Sequence, residues 1–172
     1  MSKEERIGKI YQELETEISQ GLKGTVEKEN QINYKLRSLQ DKMMRTIEDN
    51  CKESYSWIQE NTRQEQNENG MKFIIKDENQ REQAHKVFKE FEECSSRFDF
   101  GLRRKLEESR EDVQKISNSF LGCSDNCIGN LESKQDNEIK VCLRQCFDVS
   151  LQKSELIQED IIKKIDDILY KF

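Results

Sequence analysis

Apolar residues recur every three or four positions over most of this chain, the spacing of one face of an α-helix. Ile7, Ile10, Tyr11, Leu14, Ile18 and Leu22 form a first stripe, and Ser2 with Glu5 precedes it in the arrangement of a capping box. Gly21 and Gly24 predict an interruption. A second stripe comprises Ile32, Leu36, Leu39, Met43, Ile47, Cys51, Tyr55 and Ile58, with Trp57 beside it. From Asn61 to Gly70 the sequence is polar and has no apolar anchor, which predicts an exposed loop. Asp77 with Gln80 predicts the next cap. Beyond it Ala84, Val87, Phe88, Phe91, Cys94, Phe98, Leu102, Leu106, Ser109, Val113, Ile116, Phe120, Cys123 and Cys127 follow, nearly all by steps of three or four. That pattern predicts one helix of roughly 50 residues, bent at Gly101. Gly129 to Asn137 is a short polar connection, with Ser133 or Asp136 as the cap of a last helix. Its stripe is Ile139, Cys142, Cys146, Val149, Leu156, Ile161, Ile165, Ile168 and Phe172. Short connections make successive helices antiparallel neighbours. The prediction is an all-α protein: long antiparallel helices form a hairpin or three-helix bundle over residues 25–172, with an N-terminal helical extension over residues 1–24.

Composition thins the core of this picture. Of 172 residues only 33% are hydrophobic while 37% are charged, proline is absent, and mean hydropathy is -0.99. Elongated helices that bury a narrow stripe fit these values better than a compact enzyme does. The net charge of -6 is mixed along the chain, and no segment gathers Lys and Arg into the basic face that nucleic acid requires. Phe73-Ile74-Ile75 is far short of the roughly 20 apolar residues of a membrane span. The first residues, Met1-Ser2-Lys3-Glu4-Glu5-Arg6, are acidic at once, unlike a secretory signal or an Arg-rich transit peptide. No cleavable address is expected.

The cysteines carry the most specific signal. Cys123/Cys127 and Cys142/Cys146 are two Cys-x-x-x-Cys pairs, each placing two sulfurs one turn apart on one helix face. In an antiparallel hairpin the inner residues meet and the outer residues meet, which predicts disulfides Cys127–Cys142 and Cys123–Cys146. Bonding within a pair would strain its helix, and the crossed pairing needs a register shift. Three other readings of the same residues stand beside this one: reduced core cysteines, a tetrahedral zinc site, and a redox-active centre.

Within Phe120-Leu-Gly-Cys-Ser-Asp-Asn-Cys and Val141-Cys-Leu-Arg-Gln-Cys the chain resembles the twin Cys-x3-Cys proteins of the mitochondrial intermembrane space, which include the small Tim chaperones. From about Leu36 onward it is similar in particular to the eukaryotic "family with sequence similarity 136" proteins, which have four such pairs. In that comparison Cys51 stands with Tyr55 and Cys94 with Phe98, so half of each N-terminal pair is lost. Thr62 to Lys76 looks inserted. The resemblance implies an intermembrane-space protein, imported without a presequence and oxidised by the disulfide relay of that compartment. It also implies a register in which Cys51 faces Phe98 and Cys94 faces Tyr55, leaving Cys51 and Cys94 as free thiols.

Other residues add no chemistry. His85, the only histidine, stands beside Ala84 and near Val87 without a serine or cysteine constellation. Glu107/Glu108, Glu159/Asp160 and Asp166/Asp167 sit among Lys and Arg, as solvated charges do. No phosphate-binding glycine loop is present, and no catalytic residue, cofactor or metal is expected. The expectation is a non-catalytic accessory subunit of an inner-membrane respiratory-chain assembly, whose partners are other protein subunits. A soluble small-Tim-like chaperone and a zinc- or thiol-redox-linked protein are the alternatives.

Overall fold

Helices α1 (Lys3–Asn50), α2 (Lys52–Asn61), α3 (Arg81–Ser96), α4 (Leu102–Gly129) and α5 (Asp136–Leu169) account for most of the chain. A hairpin of β1 (Thr62–Asn67) and β2 (Gly70–Ile75) lies between α2 and α3. The computed structural model describes residues 2–129 and 131–172. Two units are distinguishable: Met1–Leu36 with Arg103–Asp167, and Arg37–Leu102 with Ile168–Phe172.

In the first unit α1 begins as its sequence predicts. The Ser2 backbone N–H donates to Glu5 Oε2 at 2.7 Å, and the Glu5 N–H donates to Ser2 Oγ at 3.2 Å. Helices α4 and α5 are antiparallel, since Cys123 bonds to Cys146 and Cys127 to Cys142. Helix α1 runs parallel to α5: Glu13 pairs with Lys140, Glu17 with Arg144, Lys28 with Glu159 and Lys35 with Asp166, the numbers rising together. The core sits where the three helices meet, with Ile10 and Leu14 of α1 buried against Cys127, Leu131, Ile139, Leu143 and Cys146. The N-terminal part of α1 is thus part of a three-helix core. Arg6 fastens their end to the α4–α5 connection: its Nε donates to Asp136 and its two terminal nitrogens donate to the carbonyls of Leu131 and Lys134, at 2.6–2.8 Å.

The interruption expected at Gly21 and Gly24 does not occur; α1 continues through both. Gly21 serves packing instead. A Cβ built there would come within 2.8 Å of the Phe147 ring, so its absence lets α5 approach.

The second unit departs further from expectation. The polar stretch after Asn61 is a strand rather than a loop, paired antiparallel from Thr62↔Ile75 to Asn67↔Gly70. Gly70 has φ 115°, and the Asn69 N–H is held by Asn67 Oδ1. Asp77 does act as a cap: it accepts from the Asn79 N–H and opens a 3₁₀ turn, Glu78–Gln80, that leads into α3. The expected helix of roughly 50 residues is two helices, because Phe100 and Gly101 both take positive φ, 48° and 69°. The Phe100 ring packs edge-on against Phe172 at 5.1 Å, an aromatic contact that offsets the unfavourable backbone.

Cys51 and Cys94 are not free thiols; they form a third disulfide, with Cα atoms 6.0 Å apart. Cys51 therefore meets Cys94 rather than Phe98, a displacement of four residues or one helical turn, and Tyr55 stacks on Phe91 rather than facing Cys94. The hairpin is the cause. Its strand pairing, continued by the Lys76 N–H donating to the Asn61 carbonyl, fixes where α2 ends and α3 begins, and a hairpin register once fixed propagates into the flanking elements.

Candidate functional site

The feature with most chemistry is the sulfur cluster joining α4 to α5. Each Cys-x-x-x-Cys pair occupies one turn of helix, and both bonds span Cα atoms 5.8 Å apart, within the normal range for a disulfide. The expected pairing is the observed one, Cys123 with Cys146 and Cys127 with Cys142. The two bonds are stacked so that Cys127 Sγ lies 3.6 Å from Cys146 Sγ. Burial across the cluster is uneven: Cys127 is fully buried and Cys146 is 3% exposed, whereas Cys123 is open to solvent. A cleft of about 270 Å³ reaches the cluster from outside, lined by Cys123, Cys142 and Cys146 together with Ser119, Gln145 and Lys153.

The sulfurs of Cys123, Cys127 and Cys146 lie within 4.8 Å of one another, close enough for a shared metal ion. A cysteine binds zinc as its thiolate. All six cysteines are oxidised here, so the arrangement is a covalent staple.

Two apolar grooves are further candidate surfaces among the described residues. In the first unit Tyr11, Ile18 and Leu22 of α1 face Val113, Ile116 and Phe120 of α4 across an opening floored by Phe147 and Leu151 of α5. In the second unit a cleft of about 580 Å³ lies between α2, α3 and the hairpin, lined by Met44, Tyr55, Ile58, Phe73, Phe88 and Phe91. The Tyr55 hydroxyl donates to Glu48 at 3.0 Å, which holds its proton on and raises its pKa. Sequence reading missed this second cleft, which needs the hairpin to exist. Asn69-Gly70 followed by Phe73-Ile74-Ile75 was the available signal.

Residues considered for acid–base work lie elsewhere. His85 is exposed on α3. Glu107 and Glu108 pair with Arg103 and Arg104, Asp160 with Lys164, and Glu159 and Asp166 with the α1 lysines already named. Among the described residues no helix is long and apolar enough to cross a membrane. No protein family, curated protein or solved structure matches the chain.

Proposed function

We propose that this chain is a non-catalytic helical protein of the mitochondrial intermembrane space and serves as an accessory subunit of an inner-membrane respiratory assembly. The observation that carries the reading is the α4–α5 hairpin with its twin Cys-x-x-x-Cys pairs bonded inner to inner and outer to outer. Three disulfides in a chain this poor in apolar residues support an oxidising compartment, and the likeness of the pair spacing to that of twin Cys-x3-Cys proteins favours the intermembrane space for this reading. A subunit role is supported by apolar side chains left outside the core, among them Val113, Leu121, Val149 and Leu156, which a protein neighbour would cover.

The apolar groove between α1 and α4 favours a second reading, a soluble chaperone that shelters hydrophobic precursors as the small Tim proteins do. Mitochondrial subfractionation followed by mild detergent extraction, native electrophoresis and mass spectrometry separates the two. An accessory subunit co-migrates in fixed ratio with a large inner-membrane complex. Migration only as a small soluble oligomer supports the chaperone instead, and recovery outside the intermembrane space overturns both.

A further inference from the structure

We propose that Cys123 is a modification site for a small anionic thiol, and that the adduct formed there sets off an exchange within the sulfur cluster that moves the second staple without opening the hairpin. The proposal goes beyond the subunit reading and does not depend on it. It rests on the unequal exposure of the two ends of one bond, the cleft leading to the exposed end, and the short distance from the buried end to the neighbouring bond.

Thiol–disulfide exchange requires a thiolate to reach a sulfur. Cys123 is the exposed end of the outer bond and lines the cleft, whereas Cys127 is fully buried. Lys153 lines the same cleft, and its ammonium favours an incoming thiol that carries carboxylates. Attack on Cys123 Sγ forms a mixed disulfide between the thiol and Cys123. The Cys123–Cys146 bond breaks, and its electron pair leaves on Cys146.

The new thiolate is held where it can react again. Cys146 Sγ is 3.6 Å from Cys127 Sγ, about a van der Waals contact and the separation of a near-attack pair. Its attack forms Cys127–Cys146 and breaks Cys127–Cys142. The electron pair now leaves on Cys142, which lines the cleft and takes a proton from solvent. One thiol has been consumed, one protein thiol released, and the number of disulfide bonds is unchanged. Helices α4 and α5 stay joined throughout, because Cys146 and Cys142 both belong to α5 and Cys127 to α4.

The test uses the full oxidised chain, incubated without oxygen with glutathione, quenched with iodoacetamide and digested with trypsin without reduction. Cleavage after Arg144 separates Cys142, in residues 141–144, from Cys146, in residues 145–153, so the two partners of Cys127 are told apart by mass. The expected result is glutathione on Cys123 in a species whose residues 116–134 are linked to residues 145–153 and no longer to residues 141–144, with alkylation over all species divided between Cys146 and Cys142. Glutathione on another cysteine overturns the entry site. Alkylation confined to Cys146, with Cys127–Cys142 intact, overturns the exchange. A Cys123→Ser variant tests the second step alone, and its single thiol should likewise divide between Cys146 and Cys142. Lys153→Glu should slow adduct formation with glutathione about two- to fivefold at low salt and leave the rate with uncharged 2-mercaptoethanol unchanged. Equal slowing of both thiols would refute the anion preference.

Discussion

At Gly21 helix propensity and packing pull in opposite directions. Alanine in a helix interior is favoured over glycine by about 1 kcal/mol, whereas forcing a methyl against the Phe147 ring at 2.8 Å costs about 1–3 kcal/mol in a packed site. Packing should win. Gly21→Ala is expected to lower stability by about 1 kcal/mol, while Gly8→Ala, with no atom near its Cβ, should raise it by about 0.5–1 kcal/mol. Urea denaturation of both variants checks this, and equal stabilisation would show that the Phe147 ring yields freely. Glu17 offers a test in pH. The hydrogen bond from Arg144 holds its carboxyl below the ordinary value of 4.5, and the guanidinium charge adds to this. A carboxylate with a depressed folded pKa contributes stability above its unfolded value and loses it as pH falls through the folded one. The difference in thermal midpoint between the native chain and Glu17→Gln should therefore be fully present at neutral pH and shrink as pH falls from about 4.5 through the lower folded value. A difference that did not change with pH would contradict it.

Among the elements, the β-hairpin has the largest consequences. It was illegible in the polar run Thr62–Asn67, whose side chains are nearly all exposed, because strand pairing satisfies backbone groups and leaves no periodic apolar trace when neither face is buried. Once formed, it sets the turn that brings Cys51 to Cys94. That bond closes a separation of 43 residues, for which loop-closure entropy gives up to about 4 kcal/mol. Replacing both cysteines by serine should destabilise the second unit by an amount approaching this. Trp57, the sole tryptophan, lies on α2 and reports it by fluorescence during chemical denaturation. A loss under about 1 kcal/mol would mean that the hairpin and the Tyr55–Phe91 stack hold the register unaided.

For the molecule as a whole, covalent bonds compensate for a shortage of apolar surface. Among the described residues fully buried large side chains are few, Leu39, Ile139, Ile165 and Ile168 among them, and many of the charges that tie α1 to α5 are half-exposed pairs of small individual value. Reducing all three disulfides with a strong phosphine should lower the midpoint of thermal unfolding by on the order of 15 °C or more. Far-UV circular dichroism measures it. A shift of only a few degrees would place the stability in packing and ion pairs instead.

The sequence alone determined the helical class, the capping of α1 by Ser2 and Glu5, and the pairing of Cys123 with Cys146 and of Cys127 with Cys142. Each follows from neighbours within a few residues or across one short connection, where spacing and register leave little choice. Three matters were decided only by the tertiary structure: the unbroken passage of α1 through Gly21, the end of α3 before Phe100, and the bond between Cys51 and Cys94. All three depend on what a residue meets from far along the chain, a phenyl ring on α5, the ring of Phe172, or a register set by the hairpin, and no local pattern records such a meeting.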